Sequence, residues 1–470
     1  PRLERALRTG YGARVTTRQR GGRRRICIVG GGSNAWAPKI VKDMMLTPGI
    51  ADSTFVLYDI DRPAAELVAA FLAKLGTRLG AGAFVEATDD RRRAFEGAGH
   101  FVITISTGGL DAMAHALAIP EQYGIWHTVG DTSGPGGWAR MLRNYAVFAG
   151  LARALDRFAP GAAVLNYPHP MAGLTDVLSR ACTGPVVGLS HGLFEHLEFL
   201  AAHYGLADEA ELSVQYGGVN HFFWTTRVAA RGRDLLADLR AKVRRRGFTA
   251  LMRESSPDPM GFRSHRELAT ALFDETGVMP YLGDRHPGAF FPCYLTDRAL
   301  MRRYRLERTS IADRRAMVRD RDRALRAMVK GAIPEEYLRR SRETAADIIA
   351  AHVTGRPFID VGNLPNVGQV ANLPRGAVVE TAVRVDGNGF SPICFGDLPQ
   401  PVLGLVEPHA HVQATLVRAC LERDRDLAFA ALRLDPLCAH LGGARVREMG
   451  ARLLRAHRRF TDGLFGKPSP

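Results

Sequence analysis

The chain has 470 residues, 46% of them hydrophobic and 24% charged, with a formal net charge of +15. That length predicts two large lobes rather than one compact core, and the composition excludes bulk disorder. No apolar stretch is long enough to span a bilayer and none resembles a signal peptide, so the chain reads as a cytoplasmic protein with no membrane partner.

Residues 1–24 form a basic tail. Arg2, Arg5, Arg8, Arg14, Arg18, Arg20, Arg23 and Arg24, with Arg25 behind them, face only Glu4, and residues 1–25 hold over half of the net charge. It reads as a solvated extension rather than a nucleic-acid surface. The remaining arginines alternate with acids, as in Asp313-Arg314-Arg315 through Arg321-Asp322, and no aromatic stripe interleaves with them.

The first strand candidate, Ile26–Val29, runs into Gly30-Gly31-Gly32-Ser33-Asn34-Ala35. A buried parallel strand turning sharply into a helix looks like this, and the helix N-terminus beyond is an anion site. Gly30-x-Gly32-x-x-Ala35 fits the relaxed dinucleotide fingerprint, which on its own is a glycine turn as readily as a nucleotide loop. The second strand, Thr54–Tyr58, adds weight because it ends in Asp59 and Asp61, where the ribose hydroxyls of NAD would lie.

Further strands are expected at Phe84–Ala87, Phe101–Ile105, Ala163–Leu165 and Val186–Leu189, with helices such as Ala64–Leu79 and Ala139–Phe158 between them. This alternation predicts an α/β fold with a Rossmann-like, doubly wound parallel sheet over residues 25–195, with ligands bound beyond the carboxyl ends of its strands. Those ends are polar: Ser106-Thr107-Gly108-Gly109, Asn166-Tyr167-Pro168-His169-Pro170 and Ser190-His191-Gly192. Gly130-Asp131-Thr132-Ser133-Gly134-Pro135-Gly136-Gly137-Trp138 is too rich in glycine for a helix and reads as a loop over a ligand.

Past residue 195 the alternation weakens, and residues 196–462 read as an α+β lobe for substrate and oligomer contacts. Glu195–His203, Arg302–Lys330 and Glu335–His352 have helical patterns. Asn220-His221 sits between glycines and aromatics, and Gly283-Asp284-Arg285-His286 brings a further imidazole just after Tyr281. Residues 359–407 read as strands and ordered loops, and His411–Leu432 and Gly442–Phe460 as helices. Cys27, Cys182, Cys293, Cys394, Cys420 and Cys438 form no CxxC pair, which points to free thiols in a reducing compartment.

In this order, the motifs resemble the NAD- and manganese-dependent glycoside hydrolases of family 4, from about Arg24 to Leu437. The resemblance is carried by Gly30–Ser33, Tyr58–Asp61, Gly130-Asp131-Thr132-x-Gly134-Pro135-Gly136-Gly137, Leu165-Asn166-Tyr167 with Pro170, Gly188-Leu189-x-His191, Gly218-x-Asn220-His221, Gly283–His286 and Asn366-x-Gly368-Gln369-x-x-Asn372-Leu373-Pro374. It implies a glycosidase that departs from the usual carboxylate pair. NAD takes a hydride from C3 of a small-molecule glycoside, a base removes the C2 proton, and a divalent metal steadies the enediolate. The C1 group leaves, water adds, and the hydride returns. It also implies a homodimer or homotetramer.

Carried over by position, the resemblance gives Gly30, Gly32, Ser33, Asn34, Asp59, Asp61, Thr107 and Gly108 as the NAD site. His191 falls on the acid, and Tyr281 is the candidate base, with Val278 the other alignment. His221 and Ser190 fall on metal-ligand positions and His169 lies beside them. Asn166, His169, Asn220, Arg285 and His286 make up the substrate set. The chain also departs from the pattern. Ser190 stands where the family has a cysteine, and a hydroxyl is the poorer ligand. Ala289 stands in place of a glutamate, and no arginine in Gly108–Pro120 matches the phosphate clamp, so the expected substrate is non-phosphorylated. Ser190-His191-Gly192 and Gly283–His286 resemble the uronic-acid and non-phosphorylated-sugar branches, which makes an anionic sugar such as a uronide or sulfosugar one candidate. Two other readings stay open: an NAD-dependent oxidoreductase with net oxidation, and a sensor that keeps the cofactor without turnover.

Overall fold

A computed structural model describes residues 23–190, 192–255 and 265–465. Six parallel strands open the chain: β1 (Arg25–Val29), β2 (Thr54–Tyr58), β3 (Phe84–Thr88), β4 (Ala98–Ile103), β5 (Ala163–Asn166) and β6 (Val186–Gly188). Their order across the sheet is β3-β2-β1-β4-β5-β6, so it reverses between β1 and β4, and a dinucleotide crevice opens at such a switch point.

Alternation along these strands explains the two packed faces. Cys27, Val29, Val56, Tyr58, Phe101, Ile103 and Val164 point to one side, under the helices Gly134–Phe158 and Met171–Ala181. Ile26, Ile28, Phe55, Leu57, Val102 and Leu165 point to the other, under Ala37–Met45 and Arg62–Leu79. Strands covered on both sides read as unbroken apolar runs, as these do. The helix Arg62–Leu79 starts where Asp61 accepts from the Ala64 N–H and stops at Gly80 in the left-handed region.

The second half extends the same sheet instead of building its own. β7 (Leu212–Val219) and β8 (Phe222–Ala230) form a hairpin, with short β9 (Arg233–Asp234) and β10 (Met279–Pro280) on β8. β11 (Phe358–Pro365), β12 (Val378–Asp386) and β13 (Gly389–Pro392) are antiparallel neighbours. The sheet then runs β6-β11-β12-β7-β8-β10, so both halves share one continuous 13-stranded sheet.

Several expectations are corrected here. Gly134–Trp138, read as loop, is the first turn of the helix Gly134–Phe158. Tertiary contacts override glycine's poor helix propensity there: the Gly134 N–H donates to Asp435 Oδ2 and the Gly136 N–H to His127 Nε2. The expected helix Arg302–Lys330 breaks into Arg298–Arg303 and Ile311–Lys330, the second opened by Ser310 as its cap. Glu335–His352 is a short 3₁₀ turn and then Ala345–Thr354. The extended region stops at Pro392, because Gln400–Glu422 is a helix with Pro401 in its first turn. The tail expected over residues 1–24 lies largely outside the described residues, and Arg25 belongs to β1. The six cysteines are free thiols. Among the described residues no helix is long and apolar enough to cross a membrane.

Candidate active site

Backbone atoms shape the glycine turn at one end of the site. Gly30 sits at φ +96°, where a side chain is strained, and Gly30 and Gly31 N–H both donate to the Tyr58 carbonyl. A Cβ on Gly31 would lie 2.6 Å from Leu57 Cα, so only glycine lets β1 turn against β2. Asp59 ties the turn together: its carboxylate accepts from the Gly32 N–H (2.9 Å) and the Asp61 N–H (3.0 Å). Asp61 caps the next helix. Ser33 Oγ accepts from the Trp36 N–H, and Asn34 Nδ2 donates to Val318 O on the helix Ile311–Lys330. Thr107 and Gly108 follow β4, and the Thr107 carbonyl accepts from Arg143 Nε (3.0 Å). This half-exposed turn at the switch point is a cradle that fits a dinucleotide.

Side chains from distant segments make the second end. The ring centroids of His169 and His221 are 4.7 Å apart, those of His221 and His286 are 4.4 Å apart, and Tyr281 is 5.2 Å from His286. His221 sits in the two-residue turn between β7 and β8 at φ +64°, a left-handed conformation costly for a non-glycine residue and frequent at functional sites. His169 follows β5, and its carbonyl accepts from Arg140 Nε (2.9 Å) and Asn144 Nδ2 (3.3 Å), one turn apart on the helix Gly134–Phe158. Arg143 on that helix reaches Thr107, so one helix grips both ends of the site.

Electrostatics single out Asp131. Burial raises its carboxyl, but His169, Arg140, His286 and Arg314 outweigh that and hold it below its ordinary value. Burial pushes the Arg143 guanidinium down to about 9, with Arg140 adding repulsion. Burial also raises the Tyr281 phenol well above 10, with Glu195 and Glu380 adding to it, so this hydroxyl holds its proton firmly. Tyr281 is clamped in place: a Cβ on Gly192 would fall 2.2 Å from its ring, and His196 contacts it while bonding Pro280 O (3.0 Å).

The other expected residues are placed as follows. His191 lies outside the described residues. Ser190 is buried just past β6, and its Oγ has no hydrogen-bond partner. Asn166 is fully buried and donates to Thr175 Oγ1 (3.0 Å). Asn220 is fully buried, and its Nδ2 donates to Glu380 Oε2 (2.6 Å). Arg285 is held by Thr128 O and Thr309 Oγ1 through Nη2, while its buried Nε has no partner. The structure therefore brings His169, His221, Tyr281 and His286 together, and turns Asn166 and Asn220 inward.

Imidazole nitrogens with the Asp131 carboxylate near them are donor types that a divalent cation accepts, and Ser190 Oγ is a buried, unpartnered oxygen just past β6. Among the described residues, no three His, Cys, Asp or Glu side chains already close to metal-holding geometry.

Sequence reasoning missed Asp131, Arg140, His196 and Glu380 as parts of the site. Asp131 lay in a flagged loop, and Glu380 was legible as a lone acid inside the apolar run Ala377–Val385.

Two family models match the chain: the family 4 glycosyl hydrolase model over residues 25–206 and the family 4 glycosyl hydrolase C-terminal domain over residues 216–438. An alpha-galacturonidase of Bacillus subtilis is 33% identical over 429 residues, covering 88% of this chain and 93% of the relative. An alpha-galacturonidase of Thermoanaerobacterium saccharolyticum is 30% identical over 453 residues, covering 93% and 96%. The crystal structure of Bacillus subtilis LplD superposes with a TM-score of 0.82 at 31% identity, covering 92% of this chain and 100% of that one. A 6-phospho-alpha-glucosidase from gut microorganisms, solved with NAD and Mn2+, shares the fold at a TM-score of 0.77 and 20% identity, covering 93% and 99%.

Proposed function

The chain belongs to family 4 of the glycosyl hydrolases, and from that premise we propose that it is an NAD-dependent glycosidase acting on a non-phosphorylated, anionic glycoside of the uronide or sulfosugar kind. The proposed route is oxidation at C3, elimination across C1–C2, addition of water and re-reduction. The observation that carries it is the alignment of a glycine cradle after β1, Thr107 after β4 and the His169 imidazole after β5, on adjacent strands, with His221 against His169 and His286 against His221.

When bound, NAD would supply a hydride acceptor for C3 and a divalent cation such as manganese would supply positive charge for the developing oxyanion. Gly30, Gly32, Ser33, Asn34, Asp59, Asp61, Thr107 and Gly108 would hold the dinucleotide. His169, His221 and Ser190 would hold the metal. In this reading Tyr281 Oη takes the C2 proton and His191 gives one to the leaving oxygen. Burial, Glu195 and Glu380 raise the Tyr281 phenol, and positive charge at the neighbouring imidazoles would oppose that shift.

Two observations support an anionic substrate. Two guanidinium groups, Arg140 and Arg314, act on the Asp131 carboxylate together with the His169 and His286 imidazoles, so positive charge at this carboxylate exceeds its own negative charge even with both imidazoles neutral. Relatives at 33% and 30% identity are alpha-galacturonidases. Residues 25–195 would hold the cofactor, and residues 196–462 would complete the sugar site and join copies into a dimer or tetramer.

The test is nitrophenyl glycoside turnover with NAD and Mn2+. The expected result is cleavage of an α-galacturonide over many cycles per NAD, with no net NADH and no cleavage of a 6-phosphoglucoside. The replacement of the family's cysteine by Ser190 keeps the oxidoreductase reading in view; one NADH released per substrate consumed would establish it instead.

A further inference from the structure

β5 and β7 stand four places apart in the sheet. At about 4.8 Å per strand, a flat sheet would put their ends roughly 19 Å apart. Yet the His169 and His221 rings, which follow those strands, are 4.7 Å apart. Something must draw the β7–β8 turn inward across the tips of β6, β11 and β12.

A row of residues crosses the gap at that level. Gly188 of β6 pairs with Asn363 of β11, Asn363 with Glu380 of β12, and Glu380 with Gly218 of β7. The first and last of these are the only ladder pairs joining β6 to β11 and β12 to β7 among the described residues. On this row Glu380 Oε2 accepts from Asn363 Nδ2 (2.8 Å) and from Asn220 Nδ2 (2.6 Å). Asn363 Nδ2 also approaches the Gly188 carbonyl (3.4 Å). Asn220, Asn363 and Glu380 are all fully buried. Glu380 Oε1, Asn220 Oδ1 and Asn363 Oδ1 have no partner. A carboxyl kept in such a place costs stability, and apolar packing would fill a sheet interior more cheaply.

We propose that Glu380 is a positioning residue: by holding the Asn220 side chain against the β6–β11–β12 row, it sets the left-handed turn that brings the His221 ring onto His169 and His286. Its consequence for cation affinity rests on the reading that these imidazoles hold a metal. The ring geometry does not rest on it.

The test uses the full chain loaded with NAD, as wild type, E380Q and E380A. Crystal structures report the His169–His221 separation, and titrations report Mn2+ and NAD affinity. Gln offers a carbonyl oxygen to both asparagine amides, so E380Q keeps the rings in contact and Mn2+ affinity within about threefold. E380A releases the turn, the rings part, and Mn2+ affinity falls about tenfold or more while NAD affinity stays within about twofold. If E380A does not fold, E380D is measured in its place, one methylene too short to reach Asn220, with the same expectations. Rings still in contact in the folded E380A or E380D variant would overturn the proposal, as would NAD affinity falling in step with Mn2+. A wild type that binds no Mn2+ sinks the metal reading, while the ring separation still decides the role of Glu380.

Discussion

At the glycine turn, proposed to hold the dinucleotide, residues 29–34 and 58–61 build their geometry mainly from backbone atoms within two adjacent strands and a turn, tied by the Asp59 carboxylate. At the imidazole end, His169, His221, Tyr281 and His286 arrive from segments far apart in the chain, and their approach depends on strand order and on Glu380 and Arg140 beneath them. A backbone-built site tolerates no added atom, whereas a side-chain-built site tolerates changes around it but loses its chemistry with one group.

The largest expected effect breaks the first region alone. Gly31→Ala puts a Cβ against Leu57 Cα, where backbone cannot yield. It should cost about 3 kcal/mol of stability, the upper range for overpacking. NAD titration and thermal melting read it, and an unchanged NAD affinity would show that the cradle is not where the dinucleotide sits. His221→Ala breaks the second region alone. Turnover should drop about a hundredfold or more with NAD affinity preserved; equal losses in both would erase the distinction between the regions. Chelation is milder because it is reversible. EDTA should lower turnover about tenfold or more, Mn2+ should restore it, and NAD binding should not move.

The smallest effect on turnover concerns the helix that grips both ends, where the change is one of stability. Asp435 accepts from the Gly134 N–H at its start, and burial raises that carboxyl from 3.8 to about 6. The folded state thus keeps a proton that the unfolded chain has lost, and the stability this carries is present below pH 3.8 and lost as pH rises through about 6. Asp435→Asn cannot lose it, so between pH 4 and pH 7 the variant should gain about 2–3 kcal/mol relative to wild type, whatever its fixed cost. Denaturant melts at the two pH values measure this, and a constant difference would contradict it.

The contrast also explains what the sequence made legible. β1, β2 and the glycine turn are local, so alternation and a short motif reveal them. The helix Gly134–Phe158 was legible only from Ala139, because Gly134–Trp138 gains its first turn from Asp435 and His127, partners that no local window contains. Individual imidazoles could be named from motif positions, but the inward turn of Asn220 could not, because its partner Glu380 lies 160 residues away. The continuous sheet was hidden for a similar reason: single ladder pairs at Gly188–Asn363 and Gly218–Glu380 join its parts.

The most direct test of the account is turnover of an α-galacturonide with NAD and Mn2+ in heavy water, followed by NMR of the sugar product. The account predicts deuterium at C2 of the released sugar, taken up when water adds back after elimination. Full turnover with protium retained at C2 would contradict it.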